Sequence, residues 1–286
     1  MRKKMEKHFN SPAEVIEVNM KAGEGKASLP LLKMIILGIM AGAFIALGGA
    51  TSNTAIHAIT NVGLARTLAG AIFPVGLMMI VFVGGELFTG NCLLFMDVIG
   101  RKVTVRACVR NLLVVYFSNL IGALIIDFLI YYSGNLDYSG GLLGAYTIKV
   151  AVGKIAISPL KGITSGILCN VLVCIAILMA AASTDIVGKI WGIFFPILAF
   201  VVGGFEHCVA NMFYIPAGML AAQNPEYVAK AQEAYGLTAE QIGNLTVLNS
   251  LHNFIPVTLG NILGGMVFVG LPCFLIYKKN WDVKKK

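Results

Sequence analysis

Charge is scarce in this chain: Asp, Glu, Lys and Arg make up 13% of its 286 residues, whereas 57% are hydrophobic. With a mean hydropathy of +0.81, that excludes an ordinary soluble globular domain and leaves room for several membrane spans. Paired cysteines are missing as well. Cys92, Cys108, Cys169, Cys174, Cys208 and Cys273 lie in or beside apolar runs, and no two stand two residues apart. Neither zinc binding nor dithiol chemistry is indicated, and the six read as small buried hydrophobes. There is no Ser or Cys nucleophile motif and no pair of histidines at helical spacing, so no catalytic residue, metal or cofactor is assigned. The basic start, Met1-Arg2-Lys3-Lys4-Met5-Glu6-Lys7, is not followed by an apolar core with a small-residue cleavage site, so a signal peptide is not expected. The net charge of +8 resides largely in clusters at the ends of apolar runs, the pattern of membrane orientation and not of nucleic-acid binding.

What the chain does have is six apolar stretches, at about residues 33–56, 64–98, 108–132, 159–182, 187–221 and 251–277. They predict an all-α polytopic membrane protein with six transmembrane helices. The second and fifth are too long for simple spans, and each is interrupted, at Gly84-Gly85-Glu86-Leu87-Phe88-Thr89-Gly90-Asn91 and at Gly203-Gly204-Phe205-Glu206-His207. Both read as broken helices. The expected divisions are a cytoplasmic N-terminal helix and link (1–32), a first three-span unit (33–133), a Gly-rich extracytoplasmic connection (134–157), a second three-span unit (158–277) and a basic cytoplasmic tail (278–286). Ser11-Pro12-Ala13-Glu14 carries an N-cap, a first-turn proline and a capping-box acid. The short helix it starts, followed by a flexible Lys/Gly link over residues 21–26, fits either a surface anchor or a cover over the cytoplasmic opening. Two more helix starts, Asn224-Pro225-Glu226 and Thr238-Ala239-Glu240-Gln241, fall in the polar stretch before the last span.

The chain repeats itself. Residues 110–122 align without a gap on residues 252–264, at an offset of 142. The breaks correspond too, Glu86 and Asn91 matching Glu206 and Asn211. Three spans per half invert the second copy, so the two breaks are expected to meet near the membrane midplane, where transport sites form. His207, an ionisable group at that depth, is a functional candidate; the alternative is a core histidine that bridges two helices. Glu86 and Glu206 read as anchors for exposed backbone N–H groups at the breaks.

Four blocks in order resemble the formate/nitrite transporter family: Gly85-Glu86-Leu87-Phe88-Thr89, Cys169-Asn170-Val171-Leu172-Val173-Cys174, Gly204-Phe205-Glu206-His207 with Asn211-Met212, and Ile255-Pro256-Val257-Thr258-Leu259-Gly260-Asn261. The resemblance covers nearly the whole chain. It implies an aquaporin-like inverted repeat with broken second and fifth helices, assembled as a homopentamer in membrane lipid, that conducts small monovalent anions. The aquaporin Asn-Pro-Ala signature is absent, and the one Asn-Pro lies in a polar loop, so water conduction is not implied. By the same resemblance His207 is the pore centre with Thr89 as its hydrogen-bonding partner. Leu77, Leu87, Phe88 and Val173 form the cytoplasmic constriction, and Phe73 and Phe200 the ring on the other side. Lys154, with Asn170 and Asn211, supplies positive potential around the histidine, and the N-terminal segment is associated with gating.

The physics suits a weak-acid anion. Desolvation between apolar rings favours its neutral form, and a histidine, with an unperturbed pKa of about 6.5, is placed to lend a proton. Formate is the expected substrate, with nitrite or hydrosulfide as alternatives; a conductor of neutral ammonia and an intramembrane enzyme using Glu86, Glu206 and His207 are the readings from other classes. Seventeen basic residues fall on the side of the N-terminus and five on the other, which predicts an inner-membrane protein with both termini in the cytoplasm. A topology reporter fused after Lys286 should therefore report an inside location, and an outside signal would overturn the six-span count.

Overall fold

The computed structural model describes residues 9–277; the tail expected at 278–286 and the first basic cluster lie outside the described residues. Helix α1 spans Pro12–Ala27. At its start the Ser11 backbone N–H and hydroxyl both donate to the Glu14 carboxylate, at 2.8 and 2.7 Å, and Pro12 occupies a first-turn position where no N–H is needed. The helix then continues through Gly23 and Gly25, where the sequence predicted a flexible link. Gly23 is buried, and a Cβ there would lie 2.1 Å from the Asp97 carboxylate. It serves close packing, and the contact offsets the roughly 1 kcal/mol helical penalty of glycine. Val15, Ile16 and Met20 are also buried, so α1 packs against the spans and is not a free surface helix.

After it come α2 (Leu31–Ile56), α3 (Val62–Ile72), α4 (Val75–Val83), α5 (Phe88–Ile99) and α6 (Val105–Tyr132). The second half holds α7 (Tyr138–Ile155), α8 (Pro159–Ala182), α9 (Ile186–Gly203), α10 (Cys208–Ala221), α11 (Pro225–Tyr235), α12 (Ala239–Gly243) and α13 (Val247–Tyr277). Among the described residues six segments are long and apolar enough to cross a membrane: α2, α3 with α4, α6, α8, α9 and α13. The short apolar helices α5 and α10 complete the broken second and fifth spans. No strand occurs among the described residues; an isolated bridge joins Phe9 to Ser183.

The connection between the halves differs from the expected Gly-rich linker. After a left-handed stretch at residues 139–141 it is the helix α7, with Leu143, Ala145, Ile148 and Val152 buried. Its glycines again mark contact: a Cβ on Gly144 would lie 2.5 Å from the Tyr227 ring on α11. Both expected helix starts after the fifth span are realised, capped by Asn224 and Thr238.

Within each half, two spans approach closely enough that only glycine fits. A Cβ on Gly42 of α2 would sit 2.0 Å from the Asn119 carbonyl oxygen of α6, and one on Gly122 of α6 would sit 2.0 Å from that of Ile39. In the second half Gly260 and Gly264 of α13 meet the carbonyls of Ile163 and Ile167 on α8 in the same way. Lipid tails are as apolar as leucine, so association of spans relies on such close contact and on hydrogen bonds. Gly122→Leu should overpack this seam and lower stability by about 1–3 kcal/mol. Gly25→Ala, where a Cβ meets nothing within 4 Å, should cost nothing and raise stability by up to about 1 kcal/mol. Thermal unfolding of detergent-solubilised protein compares the two, and equal stability would show that the α2–α6 contact is not tight.

Candidate functional site

Each broken span ends its first part on a left-handed glycine, Gly84 with φ 103° and Gly204 with φ 68°, a conformation that side chains other than glycine resist. The chain then runs extended to the first residue of α5 or α10, which frees backbone groups that lipid cannot satisfy. Two asparagines take them. Asn119 accepts the Phe88 N–H at 3.0 Å and donates to the Gly38 and Glu86 carbonyls. Asn261 accepts the Cys208 N–H at 2.9 Å and donates to the Gly166 and Glu206 carbonyls. An amide side chain carries one acceptor and two donors in a fixed plane, which lets it replace a turn of backbone ladder. Two further freed donors, Glu86 N–H and Glu206 N–H, go to the Leu37 carbonyl and the Ser165 hydroxyl.

Glu86 and Glu206 therefore do not anchor backbone N–H groups as the sequence suggested. Their carboxylates are buried and are held by cations and amides, because a buried charge requires an opposite charge more than a neutral donor. Lys26 of α1 lies 3.1 Å from Glu86 and donates to Asn91 at 2.8 Å. Asn91 bonds Glu86 and Asn111, and Asn111 donates to the Lys26 carbonyl. The second half repeats the pattern: Lys154 donates to Glu206 at 2.8 Å, Asn211 bonds Glu206 and Asn253, and Asn253 donates to the Lys154 carbonyl. Lys154 is thus an ion-pair partner whose field Glu206 partly cancels, and Asn211 braces the carboxylate. Asn170 donates to the carbonyls of Thr89 and Asn261, so it supports the two breaks without touching the imidazole. Sequence reasoning missed Lys26, Asn111, Asn119, Asn253 and Asn261 as site residues. All four asparagines were visible in the 142-residue repeat, and each lysine stands shortly before a proline at the start of the next span.

The mirror relation fails at the centre, where Leu87 corresponds to His207 and Thr89 to Val209. His207 caps α10: its Nδ1 accepts the Ala210 N–H at 3.0 Å. Its Nε2 lies 2.9 Å from Thr89 Oγ1. A nitrogen that accepts an N–H bears no hydrogen, so the neutral ring carries its proton on Nε2 and donates to Thr89. The Thr89 hydroxyl then keeps its own hydrogen for another acceptor. Phe200 stacks on the His207 ring with centroids 5.9 Å apart, and Phe73 meets Phe200 edge-on at 5.4 Å.

A cavity of about 820 Å³, on the face opposite α1, reaches Phe73, Phe200, Glu206 and His207 and has Lys154 in its wall. Leu77, Leu87, Phe88 and Val173 lie outside its lining, each at most 3% exposed. Between them and the aromatic pair, two half-helix N-termini meet from opposite faces, an arrangement that favours negative charge.

A family profile described as formate/nitrite transporter matches residues 13–275. The chain belongs to the formate/nitrite transporter family. It is 37% identical to a probable formate transporter of Methanothermobacter thermautotrophicus, over 95% of this chain and 98% of that one. It is 34% identical to the formate channel FocA of Escherichia coli (strain K12), over 95% of each. A solved pentameric formate channel with formate bound superposes with a TM-score of 0.74 at 32% identity, covering 86% of this chain and 97% of that one. This member of the formate/nitrite transporter family is a multi-pass membrane protein with the inverted repeat and broken second and fifth helices that its sequence predicted.

Asn261→Leu should strand the Cys208 N–H and the Glu206 carbonyl inside the protein, at about 1–3 kcal/mol for each unsatisfied group. Asn119→Leu should do the same in the other half. Both should lower the thermal unfolding midpoint in detergent; wild-type midpoints would mean that the break residues find other partners.

Proposed function

We propose that this protein conducts small monovalent weak-acid anions, formate foremost, along a path through the Thr89–His207 pair, and that the pair passes a proton to the anion. The observation that carries the reading is the cap on His207. It commits Nδ1 to the Ala210 N–H and directs the Nε2 hydrogen to Thr89, so that the threonine hydroxyl is a donor without a competing partner on the ring. The names of the relatives, a probable formate transporter and formate channels, support formate over nitrite or hydrosulfide, which remain the alternatives within the family. The pentameric neighbour supports five copies, each with its own path, in membrane lipid. The charge bias of the sequence supports an inner-membrane location with both termini cytoplasmic.

In this account the anion loses water between Phe73 and Phe200 and accepts a hydrogen bond from Thr89. Its charge raises the proton affinity of the nearby imidazole. A proton arriving through the cavity adds to Nδ1, which releases the Ala210 N–H. The Nε2 hydrogen moves to Thr89 Oγ1 as the threonine's own hydrogen moves to the carboxylate. One proton enters, one leaves with the neutral acid, and the ring is left with its hydrogen on Nδ1. It must exchange that hydrogen back to Nε2 before the cap re-forms. Leu77, Leu87, Phe88 and Val173 then form the apolar constriction through which the acid leaves, and Lys154, Asn170, Asn211, Glu86 and Glu206 hold the breaks and set the local field. The cavity that reaches His207 weighs against a purely bridging histidine, since a ring that only joined two helices would have no need of a path from the surface.

The test is His207→Asn. Asparagine is a strong N-cap and preserves a neutral hydrogen-bonding side chain, but it does not titrate. In proteoliposomes with an internal pH dye, the variant should lose formate-driven acidification, and any residual anion leak should no longer vary with pH between about 5 and 8. Thr89→Val should be milder, removing a hydrogen bond worth about 0.5–1.5 kcal/mol without removing the titrating group. A His207→Asn protein with the wild-type rate and pH profile would end the relay and leave His207 as packing.

A further inference from the structure

Beyond the ion-paired Lys154, the cavity holds two cations that no carboxylate engages. Lys26, Lys102 and Lys154 each have a carboxylate oxygen within 3.1 Å. Arg66 and Lys149, which both line the cavity, have none within ion-pair distance among the described residues. The acid in the lining, Glu206, is already occupied by Lys154.

The two side chains lie beside aromatic rings and backbone instead of anions. The Lys149 ammonium lies 4.5 Å from the centre of the Tyr235 ring and 5.5 Å from that of Tyr146, an aromatic setting that orients a cation without neutralising it. Tyr235 is itself tied across the mouth by its hydroxyl, which donates to the His57 carbonyl at 3.3 Å. Arg66 lies against the break in the fifth span: a Cβ on Gly204 would come within 2.3 Å of its guanidinium. Tyr146 links the two. Burial pushes its phenol above the ordinary range, and the charge of Arg66 opposes that shift, which puts Arg66 within electrostatic reach of the ring that Lys149 faces.

From this geometry we infer that Arg66 and Lys149 form an outer capture site for a small monocarboxylate, upstream of the Phe73 and Phe200 pair. The inference rests on the transport reading above and assigns it a second binding step. A guanidinium presents a planar fork that matches a carboxylate, and an ammonium held over aromatic rings adds charge at the same mouth. Two uncommitted cations in a walled cavity concentrate anions there and raise their rate of entry. The anion then moves on to the stretch guarded by Lys154, whose charge Glu206 partly cancels, so the capture site supplies the attraction that the inner pair lacks.

The test uses the full-length protein in proteoliposomes with formate added on the side of this cavity. Arg66→Gln combined with Lys149→Met, which keeps length and packing but removes both charges, should raise the half-saturating formate concentration about 3- to 10-fold with the maximal rate within about twofold. It should also flatten the fall in uptake that the wild type shows as ionic strength rises. Arg66→Lys combined with Lys149→Arg should keep both properties, because it keeps the charges. A double-neutral variant with wild-type half-saturation and salt response overturns the site while leaving the transport reading standing. Line broadening of carbon-13 formate by the solubilised protein separates the two ideas. Broadening that disappears in the double-neutral variant supports the capture site even if the wild type carries no formate. Broadening unchanged by the double substitution overturns it.

Discussion

The structure depends on how a broken helix satisfies its backbone where there is no water. Interrupting a span frees several N–H and carbonyl groups, and each would be costly against lipid. Asn119 and Asn261 absorb that demand: one side chain at each break accepts the first N–H of the following half-helix and donates to two carbonyls. The close glycine contacts between α2 and α6 and between α8 and α13 bring those asparagines into reach. With the breaks secured, two helix N-termini can face each other inside the protein, where their dipoles favour negative charge.

A second layer of the same logic handles charge. Each break carries a buried glutamate, and each glutamate is matched by a lysine from the short helix that precedes the half, Lys26 on α1 and Lys154 on α7. The pairing ties the covering helix of one face and the connecting helix of the other to the midplane, so that α1 is fastened to the first break through its last turn. A carboxylate left without its lysine at that depth would be strongly destabilising, which makes these helices part of the core and not decoration on the surface.

The near-symmetric frame breaks its symmetry at the centre. Leu87 and Val209 are apolar in the places that His207 and Thr89 occupy in the other half, so one imidazole and one hydroxyl meet across the pseudo-axis at 2.9 Å. The cavity is asymmetric too. It opens toward Arg66, Lys149 and Lys154, while Leu77, Leu87, Phe88 and Val173 are buried and lie outside its lining.

By itself the sequence determined the six spans, the two breaks and the internal repeat, because apolar run length, adjacent glycines and a fixed offset are one-dimensional properties that lipid makes strict. The caps at Ser11, Asn224 and Thr238 were legible for the same reason, each being a local pattern of a few residues. It also marked His207, as an ionisable group inside an apolar run, and Thr89, through a resemblance carried by ordered motifs. What only the tertiary structure decided is which polar group meets which. Gly23 looked like part of a flexible link and is a close contact, since composition cannot distinguish a glycine that bends from one that lets a neighbour in. Glu86 and Glu206 looked like backbone anchors, yet lysines distant in sequence claim them and the asparagines do the anchoring. The tautomer of His207 depends on an N–H three residues away and a hydroxyl 118 residues away. Such pairings are set by the packing of whole helices, which no local pattern encodes.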